Sequence, residues 1–381
     1  MKLDRRSFVE NVGTMAGVAC VPGCFRPRDW YSVAVLGDTH YDAEPESVYH
    51  SHYDESNKWA KVQHEEFRRN GEMWRTRCPR LLAASAEAAR ACGARFVLQL
   101  GDIIQGDCDD VPTHRKMLDD CIRLLRAPYP NGLPFLTVIG NHDFRGKGAR
   151  PAYLDFIEPF MSAEIARLTG AADLAPTKYP AFSFRFGDDA WVFCDFETDN
   201  LQPIIDSIDS AADARHVFLV THGTFSTPDA NSFRWRLGGR KKCAALRPKL
   251  YEVLSRRRAI VLSGHTHTTA FYRHENKFGG FCEFTANSVW AKPEYATGEA
   301  ISESVADYGS VWLAKHVGDK LADYRSELEF FKPGLREYFF SNGAGHYMLD
   351  VSGEEVVMSF YPGDSRAPAR KFNLYRNSRH S

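Results

Sequence analysis

The stretch VLSGHTH, residues 261–267, is an apolar run that ends in two histidines, His265 and His267. Strands rarely end in this way for packing reasons alone. Four further apolar runs are also followed, in the next loop, by polar residues that can bind a metal. They are AVLGDTHYD with Asp38 and His40, VLQLGDIIQGD with Asp102, LTVIGNHDF with Asn141, His142 and Asp143, and VFLVTHG with His222. Because sites in open α/β sheets form beyond the carboxyl ends of strands, the pattern predicts one shared site.

The spacing within these runs indicates which side chains act together. Asp38 and His40 are two residues apart, and so are His265 and His267. Residues i and i+2 of an extended segment point to the same side, so each pair can face one site. Asn141 and His142 are adjacent and are expected to do different jobs. A glycine precedes the polar residue in four of the five runs, which allows close approach of neighbouring groups.

Apolar runs alternate with helical patterns along the chain. Strands are predicted at Ser32–Leu36, Phe96–Leu100, Phe135–Ile139, Trp191–Phe196, Val217–Val220 and Ile260–Leu262. Helices are predicted at residues 78–93, Thr113–Arg126, Tyr153–Leu168 and Lys242–Arg257. Near the end, His346–Val351 and Val356–Tyr361 read as a β-hairpin that turns at Ser352-Gly353. The alternation predicts a layered α/β fold.

The composition excludes some classes of function. Hydrophobic residues make up 44% of the 381 residues and charged residues 25%, as in an ordinary soluble globular protein. The net charge of −1 argues against binding to a nucleic-acid polymer, because contact with a phosphate backbone needs a surplus of basic residues.

The first 26 residues are interpreted as an export signal. Arg5 and Arg6 precede the apolar stretch VGTMAGVACV, which is too short to span a bilayer. The segment resembles a twin-arginine signal, although Asp4 and Glu10 depart from the usual pattern. A frayed helix with two solvated arginines is the alternative. The sequence VPGC also resembles a lipoprotein cleavage box, with Cys24 as the lipid anchor. The expected location is therefore periplasmic or at the outer surface.

The polar residues at the strand ends narrow the choice of metal. Imidazole, carboxylate and amide groups without thiolate suit Mn, Fe, Zn or Co, and no CxxC pair suggests a structural zinc site. Seven ligands are too many for one ion. They suit two divalent ions about 3.5–4 Å apart that share a carboxylate, an arrangement that promotes in-line displacement at phosphorus.

The ordered blocks D-x-H, GD, GNH[DE], H and GHxH resemble those of the calcineurin-like metallophosphoesterases. The resemblance implies a four-layer α-β-β-α sandwich of two mixed sheets flanked by helices. It also implies two metal-ligand sets that share Asp102, and a histidine, His142, that faces the substrate. The first set is Asp38, His40, Asp102 and His267, and the second is Asp102, Asn141, His222 and His265. The stretch RFVLQLGDIIQG further resembles the branch of ADP-ribose and CDP-alcohol diphosphatases.

The chain is expected to divide into three parts. Residues 1–26 form the signal, and residues 27–290 form the catalytic domain with an insertion at about 41–77 over the mouth of the site. Residues 291–381 form a C-terminal extension that ends in the hairpin and completes the sandwich. Within the insertion, His50 and His52 raise the alternative of a third metal. The basic run FRWRLGGRKK, residues 233–242, is either a phosphate-recognition loop or a solvated surface loop.

The predicted activity is hydrolysis of a small phosphoester, most simply of a phosphodiester or a nucleotide-type diphosphate. A hydroxide that bridges the two ions is expected to attack phosphorus, and His142 to protonate the leaving alkoxide. Asp143 or a different carboxylate would orient His142. The alternatives are a phosphomonoesterase, a protein phosphatase, which export disfavours, and a non-catalytic metal-binding platform of the same fold. The sequence leaves the oligomeric state open.

Overall fold

The computed structural model describes residues 30–52, 56, 59–130, 132–171, 177–226, 235–289, 299–310 and 321–376. The predicted signal, with Arg5, Arg6, Cys20 and Cys24, lies outside these residues. Within them the strands are β1 Trp30–Leu36, β2 Ala94–Gln99, β3 Phe135–Thr137, β4 Ala181–Phe186, β5 Asp189–Cys194, β6 Val217–Val220, β7 Ile260–Ser263, β8 Thr269–Asn276, β9 Gly279–Thr285, β10 Leu335–Ser341, β11 Gly345–Ser352, β12 Glu355–Pro362 and β13 Arg370–Arg376. The helices are α1 Ser47–His50, α2 Ala60–Thr76, α3 Cys78–Cys92, α4 Val111–Arg126, α5 Ala149–Thr169, α6 Gln202–Ser210, α7 Arg247–Arg256 and α8 Leu321–Phe331.

The strands form two mixed sheets. The first has the order β13-β12-β11-β1-β2-β3, in which β1, β2 and β3 are parallel and β11, β12 and β13 are antiparallel to their neighbours. The second has the order β10-β8-β9-β7-β6-β5-β4, with parallel pairing from β9 to β5. Helices flank both sheets, so the predicted sandwich of two mixed sheets is confirmed.

Strand β5 shows how the layers are held together. Its residues Trp191 and Phe193 pack in the apolar core shared with β1 and β2. The intervening Val192 and Cys194 pack in a second core with helices α6 and α7. Because side chains of a strand alternate between faces, one apolar strand can seal both layers. Cys194 is fully buried in this second core.

Most of the predicted boundaries lie within a few residues of the observed ones. Helix α3 has proline in its first turn and ends at Gly93, whose φ of 63° lies in the left-handed region favoured at such ends. The helix predicted from Lys242 is wrong at its start, because α7 begins only at Arg247. Pro248 explains the difference: its missing N–H is tolerated in a first turn but not in the interior of a helix. Strand β5 likewise ends at Cys194, two residues before the predicted end at Phe196.

The segment 41–77 contains a 17-residue helix, α2, that the sequence did not reveal. Its buried residues include Phe67, Gly71 and Trp74, which are three to four residues apart and share one face. The other positions are so polar that the apolar period is hard to detect. A Cβ on Gly71 would lie only 2.9 Å from Cγ of Glu44, so this glycine allows the helix to pack closely.

The C-terminal strands belong to both sheets. Strand β10 forms an edge of the second sheet, whereas β11 lies beside β1 in the interior of the first. The antiparallel pair β11 and β12 turns at Ser352, whose Oγ accepts a hydrogen bond from the backbone N–H of Glu355 at 3.0 Å. A further strand, β13, follows the pair and forms the outer edge.

Two general features concern cysteines and membranes. The seven cysteines of the described ranges are all free thiols, namely Cys78, Cys92, Cys108, Cys121, Cys194, Cys243 and Cys282. Across those same ranges, no helix has both the length and the apolar character needed to cross a bilayer.

Candidate metal centre

The structure brings the seven predicted metal-binding side chains together at one edge of the sandwich. They follow the carboxyl ends of β1, β2 and β3 in the first sheet and of β6 and β7 in the second. The site therefore lies where the two sheets meet. All are buried except Asn141, His265 and His267, which are partly exposed.

Two carboxylates lie among the histidines. Oδ2 of Asp38 is 3.0 Å from Nε2 of His267, and Oδ2 of Asp102 is 3.2 Å from Nε2 of His222. Nε2 of His40 lies between the two carboxylates, 3.8 Å from Oδ2 of Asp38 and 3.7 Å from Oδ2 of Asp102. The imidazole nitrogens and carboxylate oxygens thus point at a common volume.

His222 links the remaining groups. Its Nε2 lies 3.2 Å from Oδ1 of Asn141 and 3.2 Å from Nδ1 of His265. Its other ring nitrogen, Nδ1, donates a hydrogen bond to the carbonyl oxygen of Leu100 at 2.8 Å. Such a bond orients the ring and directs Nε2 toward the site.

Strained backbone is concentrated at the same residues. His40, Asp102, His265 and His267 have φ values of 40°, 51°, 72° and 50°, in the left-handed region that side chains other than glycine rarely adopt. Strain of this kind persists only where surrounding contacts impose it, and it occurs preferentially at functional sites.

Glycines allow the loops to approach each other. A Cβ on Gly140 would lie 2.1 Å from the backbone nitrogen of Asp102 and 2.2 Å from its Oδ1. A Cβ on Gly264 would lie 2.4 Å from Oδ1 of Asp38. No side chain fits at these distances, so these two glycines have the steric role that the sequence predicted.

We therefore expect Gly140→Ala to displace Asp102 and to lower activity by about 100-fold, because small misplacements at a reacting centre have effects of that size. Metal content and kcat of the purified variant measure this. Gly93→Ala is the matched control: its Cβ would meet nothing within 4 Å, although its φ is 63°. The control should lose about 1–2 kcal/mol of unfolding free energy and keep its activity. Full activity of Gly140→Ala would contradict the steric role.

Mutual charge shifts the pKa values of the site. Burial opposes the charged form of Asp38, but His222, His267 and the backbone N–H of His265 together outweigh it and lower the pKa of that carboxyl. Burial likewise opposes the charge of His222, yet Asp102 and Asp38 raise its pKa to about 9. Burial and the nearby His222 lower the pKa of His265 to about 3. The carboxylates therefore stabilise positive charge placed between them.

The donor set fits divalent metal ions. Three groups of side chains have ligand atoms that all lie within 4.8 Å of one another: Asp38, His40 and His267; His40, Asp102 and His142; and Asp102, His222 and His265. Nitrogen and oxygen donors without thiolate suit Mn, Fe or Zn. Asp102 and His40 each occur in two of the groups, whereas Asp38 occurs in one.

A family comparison agrees with this geometry. The family model described as calcineurin-like phosphoesterase matches residues 31–280. The chain belongs to the calcineurin-like phosphoesterase family. It is therefore a metal-dependent phosphoester hydrolase, and the family uses a dinuclear metal site.

Solved structures share the fold of this phosphoesterase at low sequence identity. A dimetal phosphatase from Danio rerio is 14% identical with a TM-score of 0.52, and the match covers 92% of this chain and all of that one. The purple acid phosphatase PPD1 from yellow lupin seeds is 11% identical with a TM-score of 0.51, and the match covers 92% of this chain and 54% of that one. A search of curated proteins returned no match.

His142 of the phosphoesterase lies beside the candidate metal ligands. Its backbone N–H donates to Oδ1 of Asp102 at 2.7 Å, and its ring packs edge-on against that of His40 with centroids 4.4 Å apart. Nδ1 lies 3.0 Å from the carbonyl oxygen of Gln105. A hydrogen bond from Nδ1–H to this carbonyl would leave Nε2 available to the site.

Asp143 does not orient His142. Its carboxylate accepts hydrogen bonds from the backbone N–H of Ile103 at 2.9 Å and of Gly140 at 2.8 Å, so it fixes the two loops. The interpretation of Asp143 as an orienting group is therefore wrong, and the physical reason is that adjacent side chains diverge. Burial, reinforced by Asp102, raises the pKa of Asp143 well above its usual range.

Two histidines of the insertion do not form a further metal group. The ring of His50 is buried, stacks on Phe67 with centroids 3.7 Å apart, and places Nε2 3.1 Å from Oδ2 of Asp42. His52 is exposed. The two rings have different environments, so the third-metal alternative has no support among the described residues.

The basic run 233–242 is largely paired with acidic residues where it is described. Arg240 and Lys242 contact Asp199 at 3.1 and 2.9 Å, and Arg236 contacts Glu327 at 3.0 Å. These ion pairs favour the surface-loop interpretation over phosphate recognition.

Sequence reasoning missed two groups next to the site. Phe196, which follows β5, packs edge-on against His222 with ring centroids 5.4 Å apart. Arg145 follows a 3₁₀ turn, and its Nη1 lies 2.9 Å from Nδ1 of His142. The only signal for Arg145 was its position three residues after His142, which a turn can bring to the same side.

Proposed function

We propose that this phosphoesterase hydrolyses phosphodiesters or nucleotide-type diphosphates with two divalent ions, Mn, Fe or Zn. The convergence of seven ligand-type side chains beside His142 carries the proposal. The first ion would be held by Asp38, His40, Asp102 and His267. The second would be held by Asp102, Asn141, His222 and His265.

The chain's own residues would perform the proton and orientation steps. When bound, the two ions supply a nucleophile from water and offset the negative charge that develops on the phosphoryl oxygens. The imidazolium form of His142 would donate its Nε2 proton to the leaving alkoxide and become neutral, while Nδ1–H remains hydrogen-bonded to the carbonyl oxygen of Gln105. Phe196 packs edge-on against His222 on one side of the site.

The pairing of Arg145 supports substrates with one negative charge on the reacting phosphoryl group. Arg145 lies beside His142 and contacts Asp107 at 2.6 Å and Glu66 at 3.5 Å. Its charge is thus largely compensated, whereas a phosphomonoester dianion would need additional positive charge. Diesters and internal diphosphates carry one charge per phosphoryl group, which favours them over monoesters.

A substrate screen with added Mn²⁺ tests the proposal. Bis-p-nitrophenyl phosphate represents diesters, p-nitrophenyl phosphate represents monoesters, and ADP-ribose and CDP-alcohols represent diphosphate esters. The resemblance of residues 95–106 to the diphosphatase branch supports the last class. We expect kcat/KM to be higher for a diester or diphosphate than for the monoester. Preference for the monoester would replace the proposal with a phosphomonoesterase, and inactivity with bound metal would indicate a binding platform.

We also propose that the chain is exported through the twin-arginine route, with the mature protein beginning near Cys20 to Arg26. Lipidation of Cys24 would tether it to a membrane. The pair Arg5-Arg6 before an apolar stretch supports the proposal. A double variant, Arg5→Lys with Arg6→Lys, keeps the charge but should block export, because a receptor reads the arginines themselves. Fractionation of cells that express each form measures this, and unchanged delivery of the variant would refute it.

A further inference from the structure

Helix α2 presents a polar stripe to the loop that supports His142. The stripe consists of Gln63, Glu66 and Asn70, which are three and four residues apart and share one helix face. Nδ2 of Asn70 donates to Oε1 of Gln105 at 2.6 Å, and Nε2 of Gln105 donates to Oε2 of Glu66 at 3.1 Å. Nε2 of Gln63 donates to Oδ2 of Asp107 at 3.2 Å. The helix therefore holds residues 105–107 from one side.

Arg145 connects this stripe to His142. Its Nη2 lies 2.6 Å from Oδ2 of Asp107, and its Nη1 lies 3.5 Å from Oε2 of Glu66. The same Nη1 is 2.9 Å from Nδ1 and 3.0 Å from Nε2 of His142. One donor atom cannot align with two ring lone pairs that point in different directions. The guanidinium therefore packs against the imidazole ring, and Nδ1–H remains available for the carbonyl oxygen of Gln105.

Two carboxylates offset the positive charge of this guanidinium. Asp107 and Glu66 contact different nitrogens of Arg145, and the arginine side chain is only 24% exposed. The planar guanidinium, held by these two carboxylates, can pack on the imidazole ring as a flat surface. The arrangement therefore suits positioning of His142 better than capture of an anionic substrate.

The backbone around this contact is rigid. The N–H of Asp107 donates to the carbonyl oxygen of Arg145 at 2.8 Å. A Cβ on Gly106 would lie 2.2 Å from the carbonyl oxygen of His142, so the two segments pack backbone against backbone. A side chain fixed at both ends in this way can hold a neighbouring ring in one orientation.

We propose that Arg145 is a positioning residue for His142, and that Glu66 makes helix α2 part of the active site by holding Arg145. The proposal rests on the proposed role of His142 as the acid for the leaving group. Arg145 holds the imidazole so that Nε2 faces the leaving oxygen.

The test compares two esters of the same phosphate, one with a good leaving group and one with a poor leaving group. The substrates are a p-nitrophenyl ester and a methyl ester, assayed with the Mn²⁺-loaded full chain. Arg145→Met should lower kcat for the methyl ester by about 100-fold, because a misplaced proton donor acts as a misaligned reactant. Hydrolysis of the nitrophenyl ester should change by less than about 3-fold, because nitrophenolate leaves without a proton. KM and metal content should stay constant.

Two further variants separate positioning from charge. Arg145→Lys keeps the positive charge but loses the planar group, so it should not restore methyl-ester hydrolysis. Glu66 lies on a helix surface, so Glu66→Gln should fold even if Arg145→Met does not. It should show the same selective loss of methyl-ester hydrolysis, but a smaller one. Arg257→Met is the control, since Arg257 is also 24% exposed and contacts Asp209, and it should leave both rates unchanged.

His142→Ala assayed in parallel distinguishes the possible failures. If His142→Ala slows both esters equally, the proposed acid role is wrong, and the positioning role falls with it. If His142→Ala slows only the methyl ester but Arg145→Met slows both or neither, the inference about Arg145 alone is overturned. A raised KM that Arg145→Lys restores would identify Arg145 as a substrate-binding residue and would also overturn the inference.

Discussion

Asp102→Asn is expected to lower kcat by more than about 100-fold and to reduce the bound metal. The loss should exceed the 10–100-fold that is typical of a group that only orients a ligand. Oδ2 of Asp102 lies 3.2 Å from Nε2 of His222 and 3.7 Å from Nε2 of His40, so its charge serves both proposed ions. Asparagine preserves shape, and its Oδ1 can still accept the hydrogen bond from the N–H of His142.

The matched comparison for this prediction is His40→Asn. It removes one ligand of a single proposed ion and leaves both carboxylates in place, so the effect should be smaller. Metal content and kcat of both variants are measured at the same Mn²⁺ concentration. If Asp102→Asn kept two ions and most of its rate, the shared-carboxylate assignment would be wrong.

His142→Ala is expected to keep two metal ions yet to lose about 10²–10⁴ in kcat, the usual contribution of acid–base catalysis. The loss should be large for an alkyl ester, whose leaving alkoxide needs a proton, and small for a nitrophenyl ester. The position of the ring beside Asp102 and His40 is compatible with this role.

The competing interpretation is that His142 is itself a metal ligand. One group of potential ligand atoms within 4.8 Å of one another consists of His40, Asp102 and His142. In that case the alanine variant would lose metal, and the rates for good and poor leaving groups would fall together. Metal content determined on the kinetic samples therefore decides between the two roles.

Local sequence was sufficient for eight of the thirteen described strands and for the chemistry of the strand ends that form the site, whereas β4, β8, β9, β10 and β13 were not predicted. Apolar runs specify buried strands because both faces must be covered, and β6 was predicted at its observed limits. The glycines before Asp102, Asn141 and His265 also had a local meaning, since side chains at those positions would meet the neighbouring site residues. Helix α2 was missed because its apolar face is diluted by charged residues, and a propensity pattern cannot show what lies against it.

The sequence by itself determined which polar residues follow the strand ends. The extended backbone assumed for the pairs was wrong, because His40, His265 and His267 have positive φ, and the tertiary structure directs these side chains to the site. The tertiary structure alone decided that His267 meets His40 across 227 residues, with their Nε2 atoms 2.9 Å apart. It also decided that Arg145 contacts His142 and is itself contacted by Glu66 and Asp107. The physical reason is that strand and helix periods act over a few residues, whereas the packing of two sheets and of α2 depends on contacts between distant segments.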